Sequence, residues 1–263
     1  MIMFNTNMAM TTTADDLNLI FDHLSLDSAN VTNVYNYGSR VHGSATASSD
    51  YDILVIGNFA PSIMFKNPKK PYFHKYQLHT LTVNNKKYDV VLYNNEEFES
   101  TLKYNYLISV ECIFNPPEFI HVNKIDYKKI YLDKYFDQKL VRTAVKTEVG
   151  YALNCINRYH GKRLPVELDD KWVIKKLFNS IRYHTTALQL ITTKNISDYG
   201  KTNYIKQEIA KMYQQEKSFT IISDYLKRLI DDHATVLDDA IKLTIMQKFW
   251  PVAKQQSTIC EEN

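Results

Sequence analysis

The chain has 263 residues, 44% of them hydrophobic and 23% charged, which is ordinary for a globular protein of one large or two small domains. Its formal net charge of +3 permits a nucleic-acid partner but is too small to indicate one. Three scattered cysteines without CxxC spacing exclude a cysteine zinc site and a disulfide framework, and no apolar run approaches the length of about 18 residues that a membrane span needs.

We expect no signal peptide, because residues 1–13 lack a basic segment followed by a long apolar core. The cysteines are expected to stay reduced, as in a cytosolic protein. The sequence therefore favours a cytoplasmic location, or the host cytoplasm if the gene is viral. It indicates no membrane partner and leaves the oligomeric state open.

Apolar periodicity predicts an opening helix over residues 14–27. Apolar residues recur at i, i+3, i+4 and i+7 from Leu17, which places them on one helical face. Thr13, followed three residues later by Asp16, is typical of a helix N-cap.

Two strand-like segments follow. Residues 31–37 and 51–56 are rich in β-forming residues and are predicted to be strands. Gly38 ends the first strand, and a short helix is predicted to begin at Ser39. The proline-containing residues 57–75 are predicted to form a long loop, of the kind that serves as a lid or binding loop in many proteins.

A predicted hairpin and helix come next. Residues 76–83 and 86–93 are strand-like and are joined at Asn84-Asn85, a weaker hairpin signal than Asn-Gly. Residues 95–108 are predicted to be helical.

Helical periodicity takes over beyond about residue 125, where strand-like patterns end. The predicted helices cover roughly residues 131–159, 170–193, 202–215, 219–231 and 234–248. We therefore predict an α+β fold, with a domain of strands and helices over residues 1–125 and an all-helical domain over residues 126–263.

Two acidic residues lie at the start of the second predicted strand. Because side chains alternate along a strand, Asp50 and Asp52 are expected to point to the same face. Adjacent carboxylates repel each other, and a divalent cation removes this repulsion. Mg²⁺ usually binds one or two carboxylates together with substrate phosphates, so the pair indicates a magnesium site.

A third acidic residue, Asp89, interrupts the apolar strand predicted over residues 86–93. A two-metal site needs a third carboxylate beside the first two. The alternative is a buried aspartate held by the backbone or by a lysine. With Asp50 and Asp52 on a neighbouring strand, the metal interpretation is favoured.

The turn before the acidic pair has the composition of a phosphate-binding turn. Gly38 allows the backbone to approach a phosphate closely, and Ser39 is expected at a helix N-terminus, where free N–H groups favour anions. Arg40 can bind another phosphate oxygen, and Gly43 permits a second tight turn. His42 is expected either to contact substrate or to be a surface residue without a role.

The combined motif resembles that of the DNA polymerase β-type nucleotidyltransferase superfamily. It consists of Gly38-Ser39-Arg40, Gly43, Ser49-Asp50-Tyr51-Asp52 and Asp89. The likeness is greatest to nucleotidyltransferases predicted in bacteria and their phages, and a segment containing Glu111 also looks similar. The resemblance is specific over about residues 34–114. It implies a small mixed sheet flanked by helices.

The resemblance also implies an activity, the Mg²⁺-dependent transfer of a nucleoside monophosphate from an NTP to a hydroxyl acceptor, with pyrophosphate leaving. Asp50 and Asp52 would bind two Mg²⁺ ions, or Mn²⁺ in their place. Asp89 would bind the ion that activates the acceptor hydroxyl and would receive its proton.

The same resemblance assigns the nucleotide-binding residues. Ser39 and the backbone around Gly38 would hold the phosphates of the NTP, Arg40 would assist them, and Gly43 would shape the turn. The identity of the NTP stays open.

The acceptor is an RNA 3′ end, a protein side-chain hydroxyl or a small molecule. The helical half is a candidate acceptor-binding region. Its Lys175, Lys176, Arg182 and His184 lie on one predicted helix, either as acceptor or phosphate contacts or as a solvent-exposed face.

Two other functions compete with transfer. One is a non-catalytic nucleotide- or RNA-binding regulator, or an antitoxin-like partner of a helical RNase. The other is an RNase activity of the helical half itself, suggested by the spacing of Arg228 and His233.

Overall fold

The computed structural model of the chain describes residues 12–60, 76–160 and 169–260, and it leaves out the side chains of residues 158–160 and 246–260. The chain divides into two compact units. The first comprises the chain up to Phe136 together with Ser197–Asn203. The second comprises Asp137–Ile196 and the chain from Tyr204. Most of the predicted 57–75 loop, residues 61–75, lies outside the described residues.

A mixed sheet forms the centre of the first unit. Its described strands are β1 Val31–Tyr37, β2 Tyr51–Gly57, β3 Gln77–Val83, β4 Lys86–Asn94 and β5 Ile120–Asn123. They lie in the order β3-β4-β2-β1-β5. β2 and β4 run parallel, and the other neighbouring pairs are antiparallel. The first four strands match the predicted ones, whereas the short β5 was not predicted.

Helices of the first unit surround this sheet. They are α1 Ala14–His23, α2 Asn95–Lys103, α3 Leu107–Ile113 and the short α4 Tyr127–Ile130, with a 3₁₀ turn at Pro117–Phe119 and a π-helical turn at Tyr131–Tyr135. The predicted helix over residues 95–108 is divided into α2 and α3, because Asn105 adopts a left-handed conformation with φ of 54°. A left-handed residue ends a right-handed helix.

The two faces of the sheet are covered by different helices. On one face, buried Ile53, Val55 and Val90 pack in a core with Ile20 and Phe21 of α1. On the other face α2 packs against β2 and β4, and α3 against β1. Because side chains alternate along a strand, Asp52 and Asp89 lie on the second face.

Asp16 fixes α1 to the β3–β4 hairpin. It forms a capping box with Thr13, the predicted N-cap residue, and accepts hydrogen bonds from Lys86 Nζ and Asn84 Nδ2, each at 2.8 Å. Burial opposes ionisation, but the hydrogen bonds from Lys86, Asn84 and Thr13 outweigh it and lower the pKa of Asp16. Asn84 and Asn85 both have positive φ, which is the conformation of a tight two-residue hairpin turn.

Described helices make up the second unit: α5 Gln138–His160, α6 Asp170–Thr193, α7 Asn203–Gln214 and α8 Phe219–Cys260. α6 packs against both α5 and α8. The two helices predicted over residues 219–231 and 234–248 form the single helix α8, so the predicted break is wrong. Ile230 and Leu237, two turns apart, are both buried, and one apolar stripe continues through that point.

Within residues 12–60, 76–160 and 169–260, no helix combines the length and apolar character that crossing a bilayer requires.

Candidate active site

One row of side chains crosses four strands on the face of the sheet that carries α2 and α3. The backbone register pairs Tyr37 with Asp52, Asp52 with Asp89, and Asp89 with Thr80. Thr80 Oγ1 donates a hydrogen bond of 2.7 Å to Asp89 Oδ1. Because paired strands lie about 4.8 Å apart, Asp52 and Asp89 stand side by side. We call these four residues the carboxylate row.

Asp50 lies one step before this row, immediately ahead of β2. Its Oδ2 atom is 2.8 Å from Nζ of Lys87, which precedes Asp89 by the same two positions. The hydrogen bond to Asp50 raises the pKa of Lys87. Asp50 is therefore paired with a lysine, a partner that was not predicted. The sequence did contain a signal for this pair. Lys87 precedes Asp89 by two residues, as Asp50 precedes Asp52, so on parallel paired strands the two side chains lie next to each other.

The donor chemistry of these residues fits a hard divalent cation. Asp52 and Asp89 place two carboxylates in one row, and Asp50 adds a third at the entrance to β2. In the described part of the chain no three or more His, Cys, Asp or Glu side chains are already grouped as a metal site. Because Mg²⁺ takes one or two carboxylates and completes its shell with water or phosphate oxygens, these residues could hold such an ion together with a phosphate-bearing ligand.

Gly38 lies directly against the carboxylate row. Its φ is +77°, and a Cβ atom built on it would lie 2.0 Å from Asp52 Oδ2. A side chain at this position would therefore meet both backbone strain and the Asp52 carboxylate. Glycine at position 38 allows Asp52 to occupy its place beside Asp89.

Residues 38–43 form successive turns, so the predicted short helix from Ser39 is wrong. His42 N–H donates to the Gly38 carbonyl at 3.2 Å, and Ser44 N–H donates to the Ser39 carbonyl at 2.9 Å. Gly38 and Gly43 are both left-handed and leave too few residues between them for a helix. The helix-dipole argument for phosphate binding at Ser39 therefore does not apply, and its contact with phosphate stays a prediction from the motif.

Arg40 is buried and holds the segment that leads into β2. Its Nη2 donates to the Ser49 carbonyl at 2.6 Å and its Nε to the Asp50 carbonyl at 3.2 Å. The guanidinium carbon lies 3.5 Å from the centre of the Tyr51 ring. Arg40 thus positions the backbone of Asp50, and its predicted assistance to the phosphates remains untested.

A polar cavity of about 430 Å³ opens beside Arg40 and Asp50. Ser48 and Ser49 line one part of it, and Lys86 and Lys87 of the hairpin line another. Three basic side chains and two hydroxyl groups therefore line a space beside Asp50. Groups of this kind bind phosphate oxygens.

The segment Ser197–Asn203, which we call the strap, lies against the glycine turn although it follows α6 in the chain. Asn203 Nδ2 donates to the carbonyls of His42 at 2.8 Å and of Gly43 at 3.4 Å. Tyr199 donates its hydroxyl hydrogen to the Glu111 carbonyl at 2.7 Å. The strap therefore joins the glycine turn to α3, and sequence reasoning did not find it.

His42 and Glu111 are buried under the strap. His42 Nε2 is 3.6 Å from Glu111 Oε2, and the imidazole stacks on the Tyr199 ring at a centroid distance of 6.1 Å. His42 is only 9% exposed. It is therefore a packed residue behind the turn, and of its two predicted alternatives the surface location is wrong.

We expect Asn203→Asp, which keeps the shape of the side chain but removes its donor, to destabilise the first unit by about 1 kcal/mol, because the His42 and Gly43 carbonyls lose their hydrogen bonds from Asn203. Urea unfolding measures the change. Lys201→Ala, an exposed substitution in the same strap, is the control and is expected to change stability by less than about 0.5 kcal/mol. Equal unfolding midpoints for the two variants would show that the strap does not hold the turn.

The second unit buries two of the polar side chains that were predicted on one helix. Arg182 and His184 of α6 are 7% and 3% exposed. His184 Nδ1 donates to the Ser180 carbonyl at 2.8 Å, and burial lowers the pKa of His184. These two residues do not form the solvent-exposed face that was one of the predicted alternatives. An acceptor-binding role of this unit stays a prediction.

Arg228 and His233 lie on different sides of α8. Five residues of an α-helix correspond to a rotation of about 500°, which leaves the two side chains about 140° apart. Arg228 is exposed, whereas His233 is half-buried and contributes to lowering the pKa of buried His184. Their spacing does not bring the two side chains together on α8.

The comparison with protein families agrees with the motif. Residues 22–118 match the family model described as Polymerase beta, Nucleotidyltransferase, and this range contains the carboxylate row and the glycine turn. No curated protein sequence matches the chain. Among solved structures, the chain is similar to a nucleotidyltransferase-like protein from Exiguobacterium sibiricum 255-15, with 11% identity, a TM-score of 0.32, and coverage of 89% of this chain and 76% of the other. The match to the polymerase β nucleotidyltransferase family covers residues 22–118, less than half of the chain.

Proposed function

We propose that the protein is a Mg²⁺-dependent nucleotidyltransferase that moves a nucleoside monophosphate from an NTP to a hydroxyl acceptor and releases pyrophosphate. The observation that carries this proposal is the pairing of Asp52 with Asp89 across parallel strands, with Gly38 packed against Asp52. The match of residues 22–118 to the nucleotidyltransferase family supports it. As part of the same proposal, the enzyme acts in the cytoplasm, where buried thiols such as Cys112 and Cys155 stay reduced.

Asp50, Asp52 and Asp89 are the proposed metal ligands. When bound, Mg²⁺ would neutralise phosphate charge and lower the pKa of the acceptor hydroxyl. The protein contributes the placement of the carboxylates, since Thr80 orients Asp89 and Arg40 holds the backbone of Asp50. Lys87 neutralises Asp50 in the absence of the ion and lies where it can turn to a phosphate oxygen.

The donor phosphates are proposed to enter from the side of the 430 Å³ polar cavity. Arg40, Lys86 and Lys87 make this side basic, although Lys86 is paired with Asp16 and Lys87 with Asp50. Ser48 and Ser49 supply hydroxyl donors. Ser39 and the backbone at Gly38 and Gly43 are proposed to contact the same phosphates. Arg40 would do so through the guanidinium N–H groups that it does not donate to the Ser49 and Asp50 carbonyls.

In the proposed reaction the acceptor oxygen forms a bond to the α-phosphorus as the bond to pyrophosphate breaks. The hydroxyl proton passes to Asp89, whose carboxylate Thr80 holds in one orientation. The negative charge that develops leaves with pyrophosphate toward the basic side of the site.

A labelling experiment tests the proposal. The protein is incubated with each NTP labelled at the α-phosphate, Mg²⁺ and cell lysate, and the products are separated on RNA and protein gels. We expect label on an acceptor with the wild-type protein and none with Asp52→Asn. Retained NTP binding without label on any product would favour the non-catalytic regulator instead. RNA cleavage that is lost in His233→Ala would favour an RNase of the second unit.

A further inference from the structure

A second cavity, of about 220 Å³, lies on the same face of the sheet as the carboxylate row. Four tyrosines, Tyr37, Tyr76, Tyr93 and Tyr106, line it together with Asp89 and aliphatic side chains. We call it the tyrosine pocket. It is distinct from the 430 Å³ polar cavity, because the two share no lining residue.

The strand register explains the position of this pocket. Leu54, Val91 and Leu78 form the next row on this face, two residues beyond Asp52, Asp89 and Thr80. On the other side of the carboxylate row, Asp50 and Lys87 lie two residues before Asp52 and Asp89. The carboxylate row therefore separates a charged part of this face from an aromatic and aliphatic part. Asp89 belongs to the row and also lines the tyrosine pocket.

The pocket keeps apolar surface in contact with solvent. Tyr76 is 47% exposed and Leu78 is 58% exposed. The rings of Tyr76 and Tyr93 lie 5.9 Å apart at an angle of 51°, so they form two tilted walls. Apolar side chains left open around a concavity are typical of a binding site.

The lining favours an uncharged planar ring. Among the described residues that line it there is no Lys or Arg, and the Asp89 carboxylate disfavours phosphate. Nucleobases stack on tyrosine rings, and this stacking tolerates any base because every base has a π-face. A volume of 220 Å³ is below the range of about 300–1,000 Å³ typical of drug-sized ligands, so it admits one nucleoside unit at most.

We propose that the tyrosine pocket binds the terminal nucleoside of the acceptor, with its base among the tyrosines and a ribose hydroxyl at Asp89. The inference rests on the proposed function and narrows the acceptor to one that ends in a nucleoside, either a free nucleoside or an RNA 3′ end. The donor is assigned to the opposite side of the carboxylate row, where Arg40, Lys86 and Lys87 provide the positive charge that a triphosphate requires.

The test uses Tyr76→Ala, with Tyr104→Ala as matched control, since both tyrosines are 47% exposed and Tyr104 does not line the pocket. In transfer to a short single-stranded RNA with a 3′-hydroxyl, Tyr76→Ala is expected to raise the KM for RNA about tenfold, with the KM for NTP unchanged. Tyr76→Trp is expected to restore the wild-type KM, and Tyr104→Ala to leave it unchanged. Adenosine in place of RNA distinguishes the free nucleoside as acceptor, and RNA with a 3′-phosphate is expected to receive no label.

Calorimetric titration with adenosine, without NTP, measures binding separately from turnover. Adenosine affinity that depends on Tyr76 in a protein without transfer activity would overturn the proposed function and retain the pocket as a nucleoside site. Transfer that is insensitive to Tyr76, or label found only on protein, would overturn this inference and retain the proposed function. A rise in the KM for NTP alone would assign the pocket to the donor and would also overturn it.

Discussion

Asp52→Asn is expected to lower nucleotidyl transfer on the order of 10³-fold or more, because it removes a metal ligand and with it several kcal/mol of transition-state stabilisation. The free energy of unfolding in the absence of metal is expected to stay the same or rise. Asp52 and Asp89 lie side by side on β2 and β4, and the substitution removes the repulsion between their carboxylates. Transfer of label from an α-labelled NTP and urea unfolding measure the two effects. We expect the same loss of transfer for Asp50→Asn. Its free energy of unfolding is expected to fall slightly, because the substitution removes the exposed ion pair between Asp50 and Lys87.

The control is Asp22→Asn, an exposed aspartate on α1 outside the site, which is expected to leave both quantities unchanged. Unfolding of Asp52→Asn would identify a structural carboxylate and contradict the assignment of the row as a metal site. Full activity of a folded Asp52→Asn protein would contradict it as well.

Gly38→Ala is expected to reduce both stability and activity. The left-handed backbone alone costs about 1 kcal/mol for a residue with a side chain, and the new Cβ at 2.0 Å from Asp52 Oδ2 forces the carboxylate or the turn to move. A displacement of about 1 Å in a reacting group lowers rates on the order of 10²-fold, and we expect at least that loss in transfer. Urea unfolding and the labelled-NTP assay measure the two effects.

Gly43→Ala distinguishes the effect of backbone strain from the effect of a steric clash with Asp52. Gly43 has a similar φ of +64°, but its Cβ would meet only Asn203 Nδ2 at 3.5 Å, an ordinary contact. We therefore expect a loss of about 1 kcal/mol in stability and a much smaller loss of activity than in Gly38→Ala. If the two variants lose the same activity, the close approach of Gly38 to Asp52 has no role in the reaction.

The regular elements of the first unit could be predicted because their signals are local. Alternation of apolar residues marks β1 and β2, and Asn84-Asn85 marks the hairpin turn. Errors arose where tertiary contacts decide. The four-residue β5 is too short to carry a pattern, and it forms by pairing with β1. α8 continues through the predicted break because packing against α6 covers one continuous apolar stripe.

Within the candidate site, the motif placed Asp52 and Asp89 on strands, and the register of β2 with β4 put them side by side. Their partners could not be predicted in the same way. Thr80 reaches Asp89 across β3, and Asn203 reaches the glycine turn from a segment about 160 positions away in the chain. Neither residue has a local signal, since a hydrogen bond between distant segments leaves no periodicity in the sequence.

The sequence by itself determined the acidic residues, the glycine turn and the family to which they point, because these depend on residue type and short spacing. The tertiary structure alone decided what surrounds them. In the folded protein Arg40 donates a hydrogen bond to the Asp50 carbonyl, and His42 is buried under the strap. The four tyrosines of the tyrosine pocket lie beside Asp89. These arrangements depend on strand order and register, which join residues that are far apart in the chain.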